Sequence, residues 1–209
     1  MAKLFNRGGK GFTLIELIIS IFILSIAIVG IFTAFSIIVI LTSDTVNQLT
    51  GTYLAQEGIE IVRNIRDTNW LKMDANVGAA TGTYSWDDWL TGCEVAGCEV
   101  DYTTTGSGST VVLHQTGDYL RINPITTGGN GFYNYTTGTD TKFQRKIIIT
   151  PIEDVDGKDD HIMKVKVEVS WDKKATILFN SYIPASTCNP SNCITTEETL
   201  YNWYNYLGQ

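Results

Sequence analysis

From Leu17 to Leu41 the chain runs for 25 residues without a charged side chain. A helix needs about 20 apolar residues to cross about 30 Å of hydrocarbon, so this run predicts a membrane-spanning helix with length to spare for tilt. A secretory signal has a shorter apolar core, roughly 7 to 15 residues before a small-residue cleavage site, so removal of the whole segment is not expected. Beyond Thr42 the apolar positions thin out without a proline. Val46, Leu49, Tyr53, Leu54, Ile61, Val62 and Ile65 recur at near-helical spacing, which predicts an amphipathic continuation to about Arg66. Residues 12–66 then read as one rod about 80 Å long at 1.5 Å per residue. Glu57, Glu60, Arg63 and Arg66 lie between the apolar positions as a solvated face, with Glu60/Arg63 and Arg63/Asp67 spaced to pair. Gly51 and Gly58 are weak points in it, each costing about 1 kcal/mol relative to Ala.

The helical period ends there. Residues 67–117 are rich in Gly, Thr, Asp and Trp with no sustained repeat, and predict connecting structure. Alternation of period two follows in KIIITPIE (146–153), HIMKVKVEVSW (161–171) and ATILFNSYI (175–183). In the middle run Val165, Val167, Val169 and Trp171 share one face, and Lys164, Lys166, Glu168 and Ser170 the other, as in a half-buried strand. The short polar links DVDGKDD and DKK favour antiparallel hairpins. DYLRIN (118–123) is a candidate fourth strand, and Pro151 points to an edge or a bulge. The tail 184–209 ends in TLYNWYNYLGQ, whose crowded aromatics predict docking on the domain or on a neighbour. The predicted class is α+β: a long helix, half transmembrane and half amphipathic, packed on an antiparallel sheet (118–183).

Charge and cysteine content sharpen this picture. The formal charge is −7, and the first 11 residues carry Lys3, Arg7 and Lys10 with no acid, so their removal would leave about −10. An acidic body argues against nucleic acid as a main ligand. Basic residues before the span place the N-terminus in the cytoplasm and the rest outside it, by the positive-inside rule. The four cysteines form two C-x4-C pairs, Cys93/Cys98 and Cys188/Cys193. Four thiolates for zinc and two disulfides both fit, and three pairings exist in principle. An extracytoplasmic setting, and no His at zinc-ligand spacing, favour two local disulfides. Asp154, Asp156, Asp159 and Asp160 surround Gly157 as a weak calcium candidate, but the EF-hand spacing fails and Met163 stands where the bidentate Glu belongs, so a plain turn is the simpler reading. His114 and His161 lie in no nucleophile motif, and no GxSxG, HExxH or phosphate loop occurs, so neither an enzyme nor a cofactor is expected.

The most informative string is KGFTLIEL, Lys10 to Leu17. Glu16 is a carboxylate at the start of an otherwise apolar helix, costing about 2.5 to 3.5 kcal/mol on insertion scales. No Lys or Arg follows within the run to compensate it. A cut between Gly11 and Phe12 would create an ammonium one helical turn away. In a helical assembly, Glu16 of one subunit would meet Phe12 of another, which fixes axial register.

On these residues the chain resembles the prepilin family, the type IV pilins and the pseudopilins of type II secretion. The resemblance covers roughly residues 8–35 and, more loosely, TYLAQEGIEIVRNIRD. It implies cleavage after Gly11 by the prepilin peptidase, N-methylation of Phe12, and use of Glu16 in assembly through an inner-membrane platform with other pilins or pseudopilins. Beyond the helix the likeness is one of layout: variable loop, antiparallel sheet, C-terminal loop. Major pilins commonly carry a Pro where Thr33 stands here, which favours a minor, low-copy subunit. The expected organisation is a leader (1–11), an assembly helix (12–41), its amphipathic continuation (42–66), a variable region (67–117), the sheet (118–183) and a cysteine loop with aromatic tail (184–209). The alternatives are a pilus-tip binding module for adhesion or DNA uptake, with Trp70, Tyr84, Trp86 and Trp89 as stacking candidates, and a single-pass receptor or enzyme with an uncut anchor.

Overall fold

The computed structural model describes residues 11–74, 86, 93–94, 96–103, 117–125, 128–152, 162–174, 182–186 and 188–202. The class is α+β. Helix α1 spans Leu14–Asp74, 61 residues, and the chain divides into two units at Thr45/Val46.

In the first unit α1 starts at Thr13, whose carbonyl accepts from Leu17 N–H at 3.2 Å and whose hydroxyl accepts from Glu16 N–H at 3.4 Å. This is an N-cap, with Glu16 in the acidic first turn that the helix dipole favours. The large apolar side chains from Leu14 to Leu41 are exposed, apart from the half-buried Ile40, and this helix is long and apolar enough to cross a membrane. The hydroxyls of Ser20, Ser25, Thr33, Ser36 and Thr42 donate to the carbonyl four residues back, so they need no partner from outside the helix.

In the second unit the rest of α1 lies on a three-stranded antiparallel sheet of β4 (Phe143–Ile152), β5 (Ile162–Trp171) and β8 (Cys193–Tyr201), in the order β4-β5-β8. Register is set by pairs such as Ile147↔Val167 and Val167↔Thr196. Leu54, Ala55, Ile59, Val62 and Ile65 bury one helical face against Ile147, Ile149, Val165, Val167 and Val169. A second three-stranded sheet joins β1 (Arg121–Ile122), β2 (Tyr133–Asn134) and β3 (Thr139–Asp140), and β6 (Lys173–Lys174) pairs with β7 (Tyr182–Ile183).

Three elements differ from the sequence-based expectations. Helix α1 runs past Arg66 to Asp74 because tertiary contacts hold its last turns: Trp70 and Asn69 are buried, Asn69 Nδ2 donates to Trp86 O at 3.2 Å, and Trp70 Nε1 donates to Asn202 Oδ1 at 3.1 Å. The third strand of the main sheet is β8, not the 175–183 run, of which only Tyr182–Ile183 is described, as the short β7. DYLRIN contributes only Arg121–Ile122, and to the smaller sheet. Pro151 lies within β4, at the end of the strand order, where its missing N–H costs least.

Two disulfides, Cys93–Cys98 and Cys188–Cys193, are formed. The first lies along the outer edge of β4, where Cys98 exchanges two backbone hydrogen bonds with Ile147 at 2.8 Å and Cys93 O accepts from Ile149 N–H at 3.1 Å. The second leads directly into β8. Beside it the buried Asn192 donates to Trp171 O at 3.1 Å and Pro184 O at 3.3 Å, and accepts from Asn189 N–H at 3.1 Å.

Candidate functional site

Gly11, Phe12 and Thr13 precede the helix in non-helical conformation, and Phe12 is 83% exposed. A Cβ on Gly11 would meet nothing within 4 Å. The Gly11–Phe12 peptide bond is therefore flanked by exposed residues and lies outside the helix. Glu16 lies one turn further on, exposed, in a span that is otherwise uncharged to Leu41. Local chemistry accounts for part of this arrangement: Thr13-x-x-Glu16 has the spacing of a capping box, and the Thr13 half of it is made. Capping alone does not account for the 25-residue uncharged run, Leu17 to Leu41, that follows.

The stacking candidates fare differently from one another. Trp70 and Trp86 are 5% and 3% exposed and belong to the core, so neither ring offers a face to a ligand. Tyr84 and Trp89 lie outside the described residues. So do Asp154, Asp156, Asp159 and Asp160. Among the described residues no group of three His, Cys, Asp or Glu side chains is placed to hold a metal.

A buried polar cluster is the feature that the sequence did not single out. Arg145 is fully buried on the helix-facing side of β4, donating to Leu54 O at 3.2 Å and Val100 O at 2.7 Å, with Glu57 Oε2 at 3.5 Å. It ties α1, the sheet and the Cys98–Asp101 segment together. Asp101 accepts from Thr103 N–H and Tyr135 N–H, both at 2.8 Å, and the Tyr135 hydroxyl donates to Arg145 O at 3.1 Å. Glu99 is 1% exposed. One of its oxygens accepts from Gly117 N–H at 2.6 Å and Asp118 N–H at 3.1 Å, and the other is buried with no partner among the described residues. Burial pushes the Glu99 carboxyl up to about 7, against the opposing pull of those two N–H groups. Nothing local announces this: an acid beside a cysteine reads as surface until the segment is laid on β4.

Residues 6–32 match the family model described as the prokaryotic N-terminal methylation motif. No curated protein and no solved structure matches the chain.

Proposed function

We propose that this chain, which carries the prepilin-type cleavage and methylation motif at residues 6–32, is a structural subunit of a type IV pilus or a type II secretion pseudopilus. The single observation that carries the reading is that motif set on exposed, non-helical residues Gly11 and Phe12 at the head of an apolar helix whose large side chains are mostly exposed. In this reading the prepilin peptidase removes residues 1–11, Phe12 is N-methylated, and the helix holds the subunit in the inner membrane with its N-terminus cytoplasmic. Subunits then leave the membrane through an assembly platform and pack helix on helix with other pilins. The new Phe12 ammonium supplies the cation that Glu16 lacks.

The role is structural rather than enzymatic, and a minor position is favoured by Thr33, which leaves α1 without the Pro that bends the helix of bulk subunits. Mass spectrometry of the protein isolated from its native host tests the proposal. A mature chain beginning at Phe12 and heavier by one methyl group is expected. An intact Met1–Gly11 segment on the assembled or membrane-bound protein would sink it.

A further inference from the structure

The main sheet has two unlike edges. β4 opens the order β4-β5-β8, and its outer edge is occupied: Ile147 exchanges two backbone hydrogen bonds with Cys98 at 2.8 Å, Ile149 N–H donates to Cys93 O at 3.1 Å, and Pro151 beyond them has no N–H to offer. β8 closes the order. From Cys193 to Tyr201 it has no proline, no glycine and no break in its register with β5.

The ladder dictates which backbone groups β8 leaves unused. Trp171 N–H donates to Asn192 O at 3.0 Å, and hydrogen-bonded pairs alternate along an antiparallel ladder. The backbones of Ile194, Thr196, Glu198 and Leu200 therefore face β5, and those of Thr195, Glu197, Thr199 and Tyr201 face outward. The same alternation turns Ile147 and Ile149 outward on β4, where Cys98 and Cys93 meet them. Among the described residues no backbone group meets the outward set on β8, and its side chains are exposed. The acids of this strand already have cations: Glu197 pairs with Lys164 at 2.5 Å, and Glu198, on the α1 side, pairs with Arg63.

A row of N–H and C=O groups at strand spacing has one chemical complement, another extended backbone. A second copy of this chain fits it poorly. The edge of β4 is occupied and cannot receive β8. Self-pairing over the whole of 195–201 centres on Glu198 and sets two Glu198 side chains directly opposite, in the closer, non-hydrogen-bonded kind of pair.

We propose that the outer edge of β8 is a docking strip for an extended segment of a different protein, which lengthens the three-stranded sheet by one strand. Thr195 and Thr199 favour β-branched polar residues opposite them, Tyr201 favours an apolar β-branched or aromatic one, and the negative charge of the protein disfavours an acidic segment. The strip lies wholly within the second unit, so the proposal is independent of the filament reading.

The test is amide hydrogen exchange, read by NMR on the full-length protein in detergent micelles. In the free protein the amides of Thr195, Glu197 and Thr199 should exchange fast and those of Thr196 and Glu198 slowly. The probe is a short capped peptide alternating Thr and Val, with a terminal Lys for solubility. Its controls are the same peptide N-methylated throughout and one with Glu in place of Thr. Saturable binding of the probe that slows Thr195, Glu197 and Thr199 is expected, with no slowing by the N-methylated peptide and weaker binding of the Glu peptide. Thr199→Ala should bind as wild type does, because the main chain is what is recognised. Thr199→Pro removes an N–H that the sheet does not use, so the amides of Val165 and Val167 should stay slow while binding weakens by about tenfold or more. No saturable slowing in the wild-type protein, an equal effect of either control peptide, or slow exchange of Thr195, Glu197 and Thr199 before any peptide is added overturns the proposal. If that last slowing grows with protein concentration, the occupant is a second copy.

Discussion

Gly58 of α1 packs directly against Val167 of β5: a Cβ on the glycine would lie 2.9 Å from Val167 Cγ1 and 3.2 Å from Arg145 Cδ. Gly51, two turns earlier, stands in the same relation to the Trp171 ring, at 3.0 Å. The two glycines that weaken the helix locally are what let it approach the sheet. Gly58→Ala gains about 1 kcal/mol of helix propensity and loses about 1 to 3 kcal/mol to overpacking. A net loss of about 1 kcal/mol is therefore expected in chemical denaturation of the second unit's signal.

Arg145→Ala should be far more damaging. It leaves the carbonyls of Leu54 and Val100 without their buried donor and the half-buried Glu57 without its cation. Removing one member of such a buried set costs about 3 to 5 kcal/mol. The expected result in a denaturant titration is a midpoint near zero or no cooperative transition at all.

Glu99 predicts a specific pH dependence. Its carboxyl is raised from 4.5 to about 7, first by burial, with the Asp118 charge adding to the shift and the Gly117 and Asp118 N–H groups and Arg145 opposing it. The folded state thus holds the proton more tightly than the unfolded one. The associated stability is fully present below about pH 4.5 and is lost as pH rises through about 7, a span of about 3 kcal/mol at 1.36 kcal/mol per unit. Thermal melts at pH 5 and pH 8 should differ accordingly, and Glu99→Gln should remove that part of the difference. A variant with the same pH slope as wild type contradicts the assignment.

Asn192→Ala is expected to cost about 2 kcal/mol, since the carbonyls of Trp171 and Pro184 and the N–H of Asn189 all lose a buried partner. Urea midpoints of the variant and wild type, with both disulfides intact, measure it.

At the N-terminus the predictions separate capping from assembly. Thr13→Ala removes the cap and costs about 1 kcal/mol of helix start, whereas Glu16→Ala leaves the Thr13 hydroxyl in place. If Glu16 serves assembly as proposed, Glu16→Ala inserts in the membrane normally but is depleted from sheared filaments, and Thr13→Ala is not. Equal incorporation of both variants removes Glu16 from the assembly mechanism.

The α+β class was legible because its two signals are unambiguous: an uninterrupted apolar run followed by near-helical spacing, and strict alternation in β5. Strand β8 was not, because CITTEETLY offers no hydrophobic alternation. Its core-facing side includes Thr196 and Glu198, and Glu198 is tolerated there because Arg63 of α1 reaches across to it. The last turns of α1 were hidden for a related reason, since Trp70 is secured by Asn202, 132 residues away. Strands of two residues, such as β1 to β3, are too short to carry any period. Of the candidate site, the methylation motif at residues 6–32 could be read directly, because a carboxylate at Glu16 in an apolar run is anomalous on any reading. Glu99 could not, because its burial depends on a bridge to Ile147 that no local pattern encodes.

The hydroxyls of Ser20, Ser25, Thr33, Ser36 and Thr42 in the first unit of α1 each donate to a carbonyl of their own helix. In the proposed filament a neighbouring helix sliding along that surface would break no hydrogen bond there, whatever its axial position. In that filament the apolar run from Leu17 to Leu41 would be an unmarked ruler, and Glu16, just before it, the graduation by which a joining subunit finds its place.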